Sequence, residues 1–343
     1  MIESGILRGS LAAVQGRNAM SGDGIFFVLV GPSGAGKNTL INRVKAHLPD
    51  LSQVATMTTR EKRENEQDAR EHHFVTLERF RKAIEQNELI EYQRVHQNDW
   101  YGTPRAAVDQ AIALGTDLIA DIEFLGAEKL HLAYPKHTVL IFVTPSNLRI
   151  LAERILNRGN ITHEELTGRL DRARFEMTYA PECHYLVVND DRDEATKALR
   201  NIIATERHLR RGQAIDGADL VPAHKIDACV TAVIQRGDQV LVQNEQLPRF
   251  EIERGKRHLH EVAREQVESL LSAPVQIIGP LDERFDYPAP SVTIVNGTEP
   301  HFVLDYYYRF TIPDEDRPVP DGWQWVPLTS VELPDLLAEM VTS

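Results

Sequence analysis

The stretch Phe26-Phe27-Val28-Leu29-Val30-Gly31-Pro32-Ser33-Gly34-Ala35-Gly36-Lys37-Asn38-Thr39 decides how the first half of the chain folds. Five apolar residues in a row read as a strand. They run into a turn whose glycines at 31, 34 and 36 let successive backbone N–H groups point at one centre, and a helix is expected from Thr39 to about His47. Lys37 brings a charge to that centre and the helix N-terminus brings its dipole. With a strand before and a helix after, residues 31–39 read as a phosphate-binding loop. Asn38 stands where this pattern has Ser or Thr to give a hydroxyl to Mg²⁺. Metal binding is therefore expected to lean on water and acidic side chains.

Working outward, the 343-residue chain is long enough for two domains. Its 42 % hydrophobic and 26 % charged residues are those of an ordinary globular protein. A net charge of −13 argues against a nucleic-acid partner, so local arginines must hold any anionic substrate. Cys183 and Cys229 stand alone without metal-ligand spacing, which fits buried free thiols and a cytoplasmic location. No apolar run is long enough to span a membrane, and residues 1–23 lack a secretory signal. They are expected to form a disordered extension.

From Ile25 to about Arg207 short apolar strands alternate with helical stretches, the pattern of a parallel α/β sheet. Strands are expected at Phe26–Val30, Asp117–Ile122, Thr138–Val143 and Tyr185–Val188, with helices at Leu148–Leu156 and Ala195–Thr205. Residues 208–225 read as a linker. Beyond them, Cys229–Ile234 and Gln239–Gln243 flank Arg236-Gly237-Asp238 as a hairpin. A helix over Leu259–Leu271, strands near 275–278, 291–295, 301–310 and 323–326, and a short helix near 333–340 make residues 226–343 an α+β domain.

The first domain resembles the guanylate kinases over residues 24–207. Thr56-Met57-Thr58-Thr59-Arg60-Glu61-Lys62-Arg63-Glu64-Asn65-Glu66 is similar to that family's S-x-T-T-R-x-x-R-x-x-E. Further matches follow in order: Phe74-Val75, Leu89 to Tyr92, Tyr101-Gly102-Thr103, Asp121-Ile122-Glu123 with Gly126-Ala127-Glu128, Arg154 to Gly159, and Asn189 to Asp191. The resemblance implies a P-loop nucleotide kinase that uses ATP and Mg²⁺ to phosphorylate GMP or dGMP. Arg60, Arg63 and Tyr101 would hold the acceptor phosphate, where a guanidinium fork matches phosphate oxygens. His72 stands at a tyrosine position of the family, so acceptor binding is expected to vary with pH. Glu91 would accept from the guanine N1–H and 2-amino groups, with Thr56 and Thr103 on the same base. Asp121 would orient the acceptor and the water around the metal. Arg154, Arg158 and Arg169 would cover the moving phosphoryl group as a lid, and Asn189 would touch the adenine. Two alternatives stay open: a ribose 1,5-bisphosphate phosphokinase, whose family also departs from Ser/Thr after the loop lysine, and a non-catalytic nucleotide-binding module.

In the second domain, Leu247-Pro248 with Arg264-Glu265-Gln266-Val267-Glu268-Ser269 is similar to the Nudix box, with Trp323 to Leu328 as a further match. In that family, helix carboxylates one turn apart hold Mg²⁺ against a diphosphate. Here Phe250 replaces the leading glycine, Lys256 the mid-box glutamate, Ser269 the last glutamate and Leu271 the closing glycine. Glu265 and Glu268 are the metal ligands only if this site is active, and a retained fold without hydrolysis is the expectation. His258 and His260, two apart on a helix, face different ways and read as surface residues.

Overall fold

A computed structural model of the chain describes residues 24–62, 68, 72–95, 99–157, 161–252, 259–277, 290–295, 301–312 and 318–331. The expected extension at 1–23, Arg63, Arg158, Lys256, His258 and the helix near 333–340 lie outside them. The chain divides into two compact units, and the division does not follow chain order. The first holds the chain up to Gly31, Gly36–Val143 and Cys183–Pro222; the second holds Pro32–Ala35, Thr144–Glu182 and the chain from Ala223 onward.

The elements up to residue 121 are β1 (Phe26–Val30), α1 (Lys37–His47), β2 (Ser52–Gln53), β3 (Thr56–Thr58), β4 (His72–Phe74), α2 (Leu77–Glu85), β5 (Leu89–Val95), β6 (Asp99–Pro104), α3 (Arg105–Ala113) and β7 (Leu118–Asp121). Then come α4 (Phe124–Ala133), β8 (Thr138–Thr144), α5 (Leu148–Leu156), α6 (His163–Met177), β9 (Tyr185–Val188) and α7 (Arg192–Arg211).

In the first unit, five strands form a sheet in the order β2-β7-β1-β8-β9, with β1 parallel to both β7 and β8. Every residue of β1 and β8 is buried, as an apolar run in a doubly covered parallel sheet requires. The helix after the loop starts at Lys37 rather than Thr39, because Gly36 (φ 92°) takes the N-cap position. The last helix outruns the expected end at Thr205 and enters the segment read as linker. Its final turn is held from a distance: Asp117, 3 % exposed, accepts from Arg207 at 2.7 Å and Arg211 at 2.6 Å, and also from the Ile25 N–H at 2.9 Å. Gly212 in the left-handed region then ends the helix. The segment that follows leans on α7, since Asp219 and Val221 donate their N–H groups to Asn201 and Thr205.

A second, four-stranded sheet runs β4-β3-β6-β5. β3 is parallel to β4 and antiparallel to β6, which is antiparallel to β5. Its apolar side packs Met57, Phe80, Ala83 and Leu89 together, with Trp100 against them. Its polar positions carry most of the acceptor residues expected from the sequence.

The second unit contains α5, whose N-cap Asn147 accepts from the Ile150 N–H, and α6, which opens with a reciprocal capping box between Thr162 and Glu165. Its β-rich part comprises β10 (Lys225–Arg236), β11 (Gln239–Val242), β12 (Arg249–Glu251), α8 (Leu259–Leu271), β13 (Gln276–Ile277), β14 (Pro290–Val295), β15 (His301–Thr311) and β16 (Gln324–Pro327). The sheet runs β13-β15-β10-β11-β16, with β12 on β10 and β14 on β15. The expected hairpin is present: Arg236 pairs with Gln239 across Gly237, whose φ is +60°. Ala263, Val267 and Leu271 give α8 its buried stripe. Tyr306 of β15 is fully buried, and its hydroxyl donates to the Arg174 carbonyl of α6 at 3.3 Å.

Candidate active site

At the loop, two glycines are needed for space as well as conformation. A Cβ on Gly31 (φ +129°) would meet the Val143 carbonyl oxygen at 2.1 Å, and one on Gly36 would meet Asn189 Nδ2 at 2.5 Å. Lys37, 9 % exposed, donates to the Gly31 carbonyl at 2.5 Å and lies 3.5 Å from Asp121 Oδ1. Register explains the ion pair, since Asp121 at the end of β7 stands opposite Leu29, two residues before Gly31. Asn38 and Thr39 are exposed on the first turn of α1, and Asn189, 3 % exposed, follows β9.

The residues expected to hold the acceptor meet through cross-strand pairs. Thr56 stands opposite His72, and its Oγ1 lies 2.7 Å from His72 Nδ1. Thr58 stands opposite Tyr101, whose hydroxyl accepts from Arg60 Nε at 2.9 Å. The His72 ring meets the Tyr101 ring edge-on at 5.6 Å. The half-buried Arg60 is aimed further by Thr58 Oγ1, which accepts its backbone N–H.

Glu91 stands opposite Thr103, and the Thr103 hydroxyl donates to Glu91 Oε1 at 2.7 Å. Glu91 is 4 % exposed, and its Oε2 has no hydrogen-bond partner among the described residues. Burial pushes its carboxyl above the ordinary value, while the Thr103 hydrogen bond and the Lys129 charge pull the other way. One carboxylate oxygen is thus held and the other is buried without a donor, an arrangement that is rare for a buried polar group. Lys129 lies just beyond the matched motif at residues 126–128, and no local sequence signal singles it out.

Arg154 and Arg169 are half-buried on α5 and α6 of the second unit. Elsewhere in that unit, Glu265 is exposed on α8, and Glu268 Oε1 accepts from the Val275 N–H at 3.4 Å. Among the described residues, no three His, Cys, Asp or Glu side chains are grouped to hold a metal ion. No helix among them is long and apolar enough to cross a membrane.

A parallel sheet whose first strand feeds a glycine-rich loop and a lysine-led helix defines a P-loop nucleotide-binding protein. The chain belongs to the guanylate kinase family, whose profile matches residues 25–206. It is 36 % identical over 190 residues to the guanylate kinase of Zymomonas mobilis, covering 55 % of this chain and 88 % of that one. With the guanylate kinase of Desulfitobacterium hafniense it shares 39 % over 184 residues, covering 54 % and 91 %. A crystal structure of guanylate kinase from Anaplasma phagocytophilum aligns with 57 % of this chain and 90 % of its own, at 25 % identity and a TM-score of 0.45.

Proposed function

We propose that the chain transfers the γ-phosphoryl group of ATP to GMP or dGMP, giving ADP and GDP or dGDP. The observation that carries this reading is the buried Glu91 with Oε1 on Thr103 and Oε2 open. Guanine offers N1–H and a 2-amino group side by side, which a carboxylate accepts together. Adenine has no such pair of donors on that edge.

Each residue then has a task set by its chemistry. Arg60, steadied by Tyr101, grips the acceptor phosphate together with Arg63 and His72, while Thr56 and Thr103 meet the base. The loop N–H groups and Lys37 hold the donor phosphates, and Asn189 meets the adenine. The acceptor phosphate is already ionised and needs no general base, so catalysis is alignment and charge neutralisation. The resemblance assigns Arg154, Arg158 and Arg169 the task of neutralising charge on the moving phosphoryl group. Asp121, Asn38 and Thr39 offer only oxygen ligands near the loop, which suits Mg²⁺ held by one carboxylate, water and the nucleotide phosphates. When bound, Mg²⁺ supplies further neutralisation of the phosphate charge.

We further propose that residues 226–343 keep a Nudix-like fold without hydrolysis. Supporting this, Glu268 is engaged by the backbone of residue 275. Diphosphate hydrolysis with Mg²⁺ or Mn²⁺ that Glu268→Gln abolishes would overturn that reading.

The test of the main reading is ADP release from ATP and Mg²⁺ with GMP, AMP, UMP or ribose 1,5-bisphosphate as acceptor. Selective turnover with GMP is expected. Turnover with the ribose compound alone, or with none of the four, contradicts it.

A further inference from the structure

Gly126 lies in the first turn of α4 with an ordinary helical backbone, since it is not among the positive-φ glycines. Nothing in its conformation calls for glycine, which is a poor helix former. Its surroundings do. A Cβ at this position would lie 2.5 Å from Glu91 Oε2, 2.9 Å from Glu91 Cδ and 3.1 Å from Ile122 Cγ2. The atom displaced would be the open oxygen of the base-reading carboxylate, the tip of a side chain rather than backbone. The fold can absorb such a shift; a binding geometry cannot.

We infer that Gly126 is a specificity-determining residue of the acceptor site, its missing side chain leaving room for the Glu91 carboxylate in the orientation from which it meets the guanine donors. This rests on Glu91 reading guanine. A second observation comes from the same helix: Lys129, three residues on, adds positive charge near the carboxylate, while its ammonium lies 5.6 Å from the Tyr92 ring centre. α4 therefore shapes the seat of Glu91 and favours its ionised form from one face. The Thr103 hydroxyl fixes the other oxygen, so a methyl group at 126 would turn the carboxylate about that anchor and spoil its approach to two adjacent donors. ATP, bound through the loop, would be unaffected.

The experiment is Gly126→Ala, with kcat and KM for GMP, KM for ATP and the melting temperature. KM for GMP is expected to rise about tenfold, the loss of one charge-assisted hydrogen bond, with KM for ATP within about twofold of wild type. The same substitution is then made in a Glu91→Asp background, where the carboxylate is one methylene shorter and the alanine fits. There the effect of Gly126→Ala should shrink below about threefold, coupling that a merely structural glycine would not show. An unchanged KM for GMP in the single variant, or equal losses in both backgrounds, overturns the inference. Should the single variant melt early, the double variant decides. Turnover of GMP matching Glu91→Asp alone supports the role, and a further tenfold loss contradicts it. Glu91→Ala separates the two levels: if it leaves GMP turnover intact, the reading of Glu91 itself fails.

Discussion

The Thr103 hydroxyl holds one carboxylate oxygen of Glu91 at 2.7 Å and leaves the other open, in a position that is 4 % exposed. The two residues face each other across antiparallel strands, so their meeting is a property of register and not of flexible side-chain search. A carboxylate buried this way costs stability and is useful only if a ligand supplies the missing donors.

That cost has a pH signature. Burial raises the Glu91 carboxyl above its ordinary 4.5, so the folded protein binds this proton more readily than the unfolded chain. The stability contributed is full below the ordinary value and is lost as pH rises through the folded value. Glu91→Gln, which cannot ionise, should melt with wild type at low pH and increasingly above it toward neutral pH without nucleotide. Thermal melts across that range check this. Binding of GMP should follow the opposite course, weakening as Glu91 is protonated.

Tyr101 accepts the Arg60 Nε–H at 2.9 Å. Tyr101→Phe is expected to raise KM for GMP about three- to tenfold, the scale of one hydrogen bond. Arg60→Ala, which removes the guanidinium proposed to grip the acceptor phosphate, should cost about a hundredfold or more in kcat/KM. Steady-state kinetics with GMP varied at saturating ATP distinguish the two.

Lys37 is held between the Gly31 carbonyl and Asp121. A preorganised cation at the phosphates is worth about 10²–10³ in kcat, so Lys37→Ala should lose that much. The loss should fall on kcat for the reaction with every acceptor, since the lysine serves the donor. A change confined to KM for GMP would contradict the assignment.

A stability prediction concerns Asp117, far in sequence from Arg207 and Arg211 but bonded to both. Asp117→Ala removes the buried carboxylate shared by the Ile25 N–H and two guanidinium groups, leaving Arg207 only Asp50 and Arg211 only the Gly115 carbonyl, and should destabilise the protein by about 3–5 kcal/mol. Urea unfolding followed by circular dichroism measures it. Asp117→Asn should cost less, because its side-chain oxygen still accepts.

Much of this was legible in the sequence because the signals were local. The strand Phe26–Val30 with its loop, the strand Tyr185–Val188, the helices Leu148–Leu156 and Leu259–Leu271 and the turn at Gly237 each follow from apolar runs, periodicity or turn chemistry within a few residues. The four-stranded sheet was not legible as a sheet. Its short strands carry Thr56, His72, Tyr101, Glu91 and Thr103, polar residues that suppress the alternation by which strands are read. The family resemblance, not periodicity, brought those residues forward. The extra turn of α7 was missed because Asp117, some ninety residues earlier, holds it. The role of Gly126 was hidden for the same reason: nothing adjacent in the chain says that Glu91 fills the space beside it.

In the proposed reaction the unpartnered oxygen of Glu91 reads guanine. The most direct test is kcat/KM for GMP in wild type and Glu91→Ala, with ATP affinity measured in parallel. A fall of about a hundredfold or more for GMP, with ATP affinity unchanged, is the result the account predicts for loss of a buried charged acceptor. Equal kcat/KM in the two proteins would contradict it.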